Sequence, residues 1–565
     1  MNVLGAPRKA LLPRLDGWTV GVGLIALVML LPVAIILMGL LTNTSDAWGH
    51  LAATVLPEYI RNSLVLMVGV GLGVLVLGVS TAGLVSTCQF WGRRWFEWLL
   101  LLPLAAPTYI LAYVYTDTLE YFGPVQTALR GLFGWQRATD YWFPNIRSIE
   151  GAILLFSLTL YPYVYLLARV AFLEQSTATL EASRSLGRGP WRSFWSVAVP
   201  MARPAIATGT ALALMETLND FGTVAFFSVP TFTTGIYRTW FGMGDRPAAV
   251  QISAVLLLFI FALVVLEQQS RRRARYYQGM GRSVSQSRYG LAGLRAVGAW
   301  LACFVPVLLG LLVPIGLLLA MTFRNANATL NRSFWVLSRN SLVLAVLAAV
   351  LAVLLSLVMA YGLRLNSTPF LKLAVQGANM GYAVPGAVIA VGTLIPLAGF
   401  DNAIDAWMRQ TFGVSTGLLL SGTIVALLFA YLVRFLAVSF GATEAGLIKI
   451  KPSLDDAARS LGQSPRQTLM KIHRPLLGSS LLTATMLVFV DVMKELPATL
   501  IIRPFNFDTL AVRVYQYAAD ERLIEASAPA LAIILVGLLP VLWLSKQIAN
   551  EGKAWLPDKT WSVNP

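Results

Sequence analysis

The stretch Glu181-Ala182-Ser183-Arg184-Ser185-Leu186-Gly187, with Pro200 downstream, occurs again as Asp456-Ala457-Ala458-Arg459-Ser460-Leu461-Gly462, with Pro475 downstream. Both the glycine and the proline are displaced by 275 residues. Each copy is a polar island between two apolar runs. A helix needs about 20 apolar residues to cross the hydrocarbon core of a bilayer. Runs of that length recur along the whole chain. Backbone groups in lipid must be satisfied within their own segment, and these runs are too long and too uniformly apolar for barrel strands. The expected fold class is therefore all-α: a polytopic membrane protein of twelve transmembrane helices in two homologous six-helix halves.

Working outward, spans are expected near 19–41, 62–88, 98–118, 151–173, 204–228 and 247–268, and again near 295–321, 341–363, 372–397, 417–439, 478–501 and 527–545. The first repeat covers 1–268 and the second 295–565. Between them, 269–294 reads as a cytoplasmic linker holding the basic stretch Arg271-Arg272-Arg273-Ala274-Arg275. The repeat extends beyond the loop. Arg61-Asn62-Ser63-Leu64-Val65-Leu66 returns verbatim as Arg339-Asn340-Ser341-Leu342-Val343-Leu344, displaced by 278. Thr234-Gly235-Ile236-Tyr237-Arg238 aligns with Thr509-Leu510-Ala511-Val512-Arg513. An even number of helices separates equivalent points, so the halves are parallel repeats about an axis along the membrane normal, with a pathway expected between them.

Composition agrees with this reading. The chain is 57% hydrophobic and 12% charged, with mean hydropathy +0.69, which no water-facing surface of 565 residues tolerates. The net charge of +16 belongs to the loops of a membrane protein rather than to nucleic-acid binding. Arg8, Lys9, Arg14, Arg93, Arg94, Arg184, Arg188 and Arg192 would share the side of the linker, and the positive-inside rule makes that side cytoplasmic, with both termini on it. The apolar run after Arg14 is too long for the core of a signal peptide. Two cysteines (Cys88 and Cys303) and two histidines (His50 and His473) give no pattern for a tightly held metal.

Local chemistry makes the duplicated loop an ordered helical hairpin. Glu181 sits where a helix N-terminus favours negative charge. Gly187 permits a left-handed stop, and Pro190 can open the next helix, where a missing N–H costs nothing. Asp456, Gly462 and Pro465 repeat the grammar. The hairpin would present small residues to two identical soluble subunits.

This loop resembles the EAA motif in the permease subunits of binding-protein-dependent ABC importers. The match is the acidic-Ala start, the glycine six residues later and the proline thirteen beyond it, present twice. Ser183 departs from the second Ala of the motif, and Asp456 from its Glu. The resemblance implies that Glu181, Ala182, Ser183, Gly187 and Pro200, with Asp456, Ala457, Ala458, Gly462 and Pro475, form ATPase-coupling loops. It further implies two copies of an ABC ATPase, a periplasmic substrate-binding protein and the inner (cytoplasmic) membrane of a bacterium. Residues 219–224, 229–237 and 494–499 look most like fused ferric-iron importer permeases; thiamine and phosphonate importers share the layout. No GxxxxGK[ST] phosphate loop is present, so ATP and Mg would be bound by the partner ATPase and this chain would carry no cofactor. A proton- or sodium-driven carrier is the rival class, and it has no use for two ATPase sockets. A membrane enzyme is disfavoured because no nucleophile or acid–base constellation is legible.

Inside the membrane, Glu216 and Asp220 in span five, and Asp491 and Glu495 in span eleven, are equivalent at the 275 displacement. A spacing of four places each pair on one helix face. Two readings stand: the carboxylates line the path and guide a hard cation, or they pair helices, with Lys494 neutralising a neighbour. Tyr161, Tyr163 and Tyr165 in span four could offer phenolate ligands to ferric iron, or serve as ordinary interface residues. On the outer side, the aromatic-rich loop 121–150 and the matched Arg238 and Arg513 are candidates for docking the binding protein, or for pinning helix ends.

Overall fold

The computed structural model describes residues 16–41, 45–175, 183, 185–272 and 288–554. The strands among them are Cys88–Gln89 and Tyr289–Gly290, which pair in parallel and tie the far end of the linker to the first half. Everything else that is regular is helical. Twelve helices carry the architecture: α1 Gly17–Met38, α2 Leu56–Thr87, α3 Thr108–Leu119, α4 Ile149–Glu174, α5 Pro190–Asn219, α6 Arg246–Arg272, α7 Leu294–Arg324, α8 Arg332–Leu365, α9 Gly386–Phe412, α10 Ile424–Lys449, α11 Gly478–Met493 and α12 Leu523–Ala554. The protein is thus a polytopic all-α membrane protein.

Among the described residues ten helices are long and apolar enough to cross a membrane, and two further spans are bent pairs. One pair joins Arg93–Ala105 to Thr108–Phe133 at 89°; the other joins Pro465–Leu476 to α11 at 77°. The expected third span is therefore bent. The expected fifth and eleventh spans also stop early. α5 ends at Asn219 and α11 at Met493, and the chain restarts as the short helices Gly222–Phe226 and Pro497–Ile502. A break at membrane depth is tolerated where protein rather than lipid surrounds the freed backbone.

Two repeat-related details show at atomic scale. Asn62 Nδ2 donates to the Pro230 carbonyl at 2.9 Å, and Asn340 Nδ2 donates to the Asp508 carbonyl at 3.2 Å, both residues shifted by 278. A π turn spans Phe194–Ala198 and another Leu469–His473, shifted by 275.

Burial separates centre from rim. In α4 72% of the apolar window is buried, against 33% in α1, so α4 belongs to the core and α1 offers leucines such as Leu24 and Leu27 to lipid. The first helix of each half reaches across to the other. α1 packs on α8, on α9 and on the helix Pro369–Ala378. Asn366 Nδ2 donates to Asp16 Oδ2 and to Thr19 Oγ1, each at 2.9 Å, and Trp18 meets Tyr361 edge-on with ring centroids 5.1 Å apart. In return, Trp300 of α7 stacks on Trp91 and meets Phe96 edge-on, and the Tyr115 hydroxyl donates to the Leu309 carbonyl. The halves interlock instead of lying side by side. Of the expected linker, residues 273–287 lie outside the described residues.

Candidate functional site

Glu181 and Ala182 of the first loop lie outside the described residues. Ser183 is buried, and its hydroxyl accepts a hydrogen bond from Ser193 Oγ at 3.1 Å. In the second copy the helix Pro452–Ser460 carries Asp456 and Ala457 on its exposed face, while Ala458 is buried. Of the small residues expected at the surface, Ala457 is exposed and Ser183 and Ala458 are buried. The third motif position turns inward in both copies, and in the first Ser183 is hydrogen-bonded to Ser193 of the helix that follows. Each hairpin also exposes a leucine: Leu186 is 82% and Leu461 78% exposed, at equivalent positions. Gly187 and Gly462 sit at φ +81 and +73, the left-handed region that lets the chain turn there, and Pro200 and Pro475 are exposed shortly after the π turns.

The second loop is anchored more firmly than its sequence suggests. Asp455 Oδ2 accepts from Arg364 Nε at 2.8 Å, while His473 Nε2 lies 2.7 Å from Asp455 Oδ1. Arg364 also donates to the Leu447 and Ile450 carbonyls, and the Tyr361 hydroxyl donates to the Pro465 carbonyl at 2.7 Å. The loop helix, α8 and the π turn are thereby joined. The basic side chains of Arg192, Lys471 and Arg474 are exposed.

All four sequence-selected carboxylates line one cavity of about 110 Å³, formed by residues of both halves. Positions related by the repeat line it together: Leu104 with Tyr382, Thr159 with Arg434, Glu216 with Asp491, Asp220 with Glu495. The carboxylates are not alike. The expectation that Glu216 and Asp220 share one helix face is corrected, because α5 ends between them. Asp220 is extended at φ −65 and ψ 139, and its carboxylate closes the next helix, accepting from Thr223 N at 2.9 Å, Val224 N at 3.2 Å and Thr223 Oγ1 at 3.1 Å. Glu495 does the same for Pro497–Ile502, accepting from Ala498 N at 3.1 Å, Thr499 N at 3.0 Å and Thr499 Oγ1 at 2.7 Å. It also takes Arg434 Nη1 at 2.6 Å in a pair whose side chains are 8% and 1% exposed. Gly386 lies beside this pair, where any Cβ would collide with Arg434 Nη1 and Glu495 Oε1.

Glu216 and Asp491 are left with little. Glu216 Oε1 receives only a 3.3 Å hydrogen bond from the Tyr382 hydroxyl, and Asp491 Oδ1 pairs with Lys494 Nζ at 2.9 Å. Tyr163 lines the cavity beside them, whereas Tyr161 and Tyr165 are buried elsewhere in the core. Tyr109 lines the cavity and is 4% exposed, and its hydroxyl has no hydrogen-bond partner. Asn219 Oδ1 accepts from Gly386 N at 2.8 Å and so ties the end of α5 to the start of α9 across the halves. Sequence reading missed Arg434, Tyr382, Tyr109 and Asn219. Only Arg434 carried a signal, as a lone charge inside the apolar run 417–439. Among the described residues no three His, Cys, Asp or Glu side chains converge as a metal-holding group.

The two arginines matched by sequence have different surroundings. Arg513 Nη2 pairs with Asp508 Oδ2 at 2.7 Å, and Asp508 also pairs with Arg503. Arg238 is exposed in the π turn Arg238–Gly242. The loop 121–150 is ordered: the helix Pro124–Phe133 is followed by Trp135 stacked on both Phe133 and Tyr141, with centroids 4.7 Å apart in each case. Asp140 braces it by accepting from the backbone N–H groups of Arg137 and Gln136, which hold its carboxyl below the usual range. Phe122 and Trp142 project from the loop, 90% and 86% exposed.

Interlocked helical halves around a charged, membrane-depth cavity, with loops repeated in each half, define a transport protein. Residues 74–276 match the family of the binding-protein-dependent transport system inner membrane component. The chain is 25% identical to the Fe(3+)-transport system permease protein FbpB 2 of Haemophilus influenzae, over 86% of this chain and 90% of that protein. It is 25% identical to a putative ferric transport system permease protein FbpB 1 of the same organism, over 82% of this chain and 73% of the relative. The molybdenum transport system permease protein ModB of Escherichia coli is 28% identical over 34% of this chain and 81% of its own length. Residues 74–276 thus carry a permease domain of the binding-protein-dependent, ABC-importer kind, and over most of its length the chain is similar to double-length permeases of that kind: multi-pass inner membrane proteins that work with a substrate-binding protein and an ATPase.

Proposed function

We propose that this permease carries ferric iron, received from a periplasmic binding protein, into the cytoplasm. The observation that carries the reading is the cavity: four carboxylates and three tyrosines face two cationic side chains, an oxygen-rich and net acidic lining suited to a hard cation. The names of the full-length relatives agree with it. The half-length molybdenum and sulfate permeases are relatives too. A lining with more acids than bases is a poor path for an oxyanion.

In this reading the two repeats, 1–268 and 295–565, surround a pseudo-axis on which the cavity lies, and the linker and both termini are cytoplasmic. Two copies of a separate ATPase bind and hydrolyse ATP, and this chain holds no cofactor. Each ATPase takes one loop, with Leu186 or Leu461 as the apolar contact and Asp456 and Ala457 at the rim of the second. Glu181 and Ala182 have the corresponding place in the first. Closing the ATPases pulls the loops and tilts the halves, opening the cavity outward; hydrolysis resets it inward. The loop 121–150 and Arg238 meet the binding protein. Arg513, already paired with Asp508, pins its own helix end.

Uptake of ferric iron by proteoliposomes holding the permease, its ATPase and its binding protein tests this. Uptake should require ATP, and Glu216→Gln with Asp491→Asn should lower it at least tenfold while the complex still assembles. Unchanged uptake by that double variant would remove the carboxylates from the path.

A further inference from the structure

The four carboxylates of the cavity differ in what already holds them, and one cation is positioned to leave. Asp220 and Glu495 are fully engaged by the turns they close, and Glu495 by Arg434 as well. Glu216 and Asp491, equivalent in the two repeats, keep open lone pairs toward the cavity. Lys494 follows the last turn of α11, and its ammonium pairs with Asp491 within electrostatic reach of Glu216 and Tyr163. Arg434 is locked by an almost fully buried carboxylate, but the Lys494 and Asp491 side chains are 31% and 18% exposed. Tyr109 lines the same cavity, and its buried hydroxyl has no hydrogen-bond partner.

We propose that Lys494 is a tethered counter-ion that competes with the cargo for Asp491. In the empty cavity its ammonium occupies the carboxylate. An arriving hard cation takes oxygen ligation from Asp491 and Glu216, with neutral phenols such as Tyr109 completing its shell, and Lys494 swings aside on its four-carbon stem. Its return as the cavity opens inward weakens the hold on the cation. A path must bind its ion well enough to admit it and loosely enough to release it. A lysine three residues from the carboxylate builds that compromise into the wall. No bond other than ion pairing and coordination changes.

The inference rests on the proposed cation cargo, and one set of proteoliposomes separates the two. The complex is loaded with radiolabelled ferric iron through its binding protein, and initial uptake, ATP hydrolysis and iron retained on the washed complex are measured. Lys494→Met should slow uptake about tenfold and raise retained iron from near zero toward one per complex. Lys494→Arg should keep most uptake. Adding Asp491→Asn to Lys494→Met should abolish the retention, which a merely misfolded cavity would not do selectively. Wild-type uptake and no retained iron in Lys494→Met would overturn the tethered counter-ion while leaving the iron reading intact. A wild-type complex that hydrolyses ATP yet moves no iron would overturn both.

Discussion

Neutralising Glu495 and neutralising Glu216 should give different phenotypes, although sequence alone makes them look like members of one set. Glu495→Gln leaves Arg434 buried without its counter-charge. Removing one partner of a buried pair typically costs about 3–5 kcal/mol, so the purified complex should melt earlier and assemble poorly. Glu216→Gln gives up a single long hydrogen bond, so its melting temperature should stay near wild type while iron uptake falls. Asp220→Ala should be intermediate, destabilising by about 1 kcal/mol through the lost helix closure, with Asp220→Asn restoring most of it. Equal melting shifts for all three would contradict the division. At this scale the sequence singled out four acids at one displacement, and all four line one cavity. Their roles depended on where α5 and α11 stop. That was not legible, because the apolar pattern continues through 221–228 and 496–502 and hides a break made by hydrogen bonds.

The duplicated hairpins are the elements that the repeat of 181–187 at 456–462 makes visible, and their turns follow from chemistry that a single residue carries. Gly187 and Gly462 meet no atom that a Cβ would strike, so a substitution there acts through φ alone. A side chain forced into that region costs roughly 1–2 kcal/mol. Gly187→Val with Gly462→Val should leave the permease folded but uncouple it, measured as ATP hydrolysis no longer stimulated by the loaded binding protein. Leu186→Asp with Leu461→Asp should go further and prevent co-purification of the ATPase. Retention of a full ATPase complement in that variant would show that the exposed leucines are not the contact. The asymmetric anchor was hidden from the sequence. Asp455, Arg364 and His473 are separated by up to 109 residues and have no counterparts in the first repeat, where Ser86 and Ala198 occupy the places of Arg364 and His473. Asp455→Asn should therefore weaken coupling through the second loop alone, and the mirrored defect should not be obtainable in the first.

At the scale of the molecule, the exchange of α1 and α7 between halves means that neither repeat is closed without its neighbour. The internal repeats led to the expectation of six helices in each half, but apolar periodicity carries no information about which half a helix packs on. Packing decides that, through contacts such as Gly362 of α8 against Val22 of α1, where any Cβ would press into the valine. Gly362→Leu should split α1 from the second half and lower the melting temperature of the whole complex. In the proposed cycle this interlock is what would let two loops, pulled apart or together, act on one cavity. The most direct measurement is competitive uptake by the reconstituted complex, offered ferric iron, molybdate, thiamine and a phosphonate together. The account predicts ATP-dependent accumulation of iron, undiminished by a large excess of the other three. Accumulation of any of those in its place, or iron entering without ATP, would contradict it.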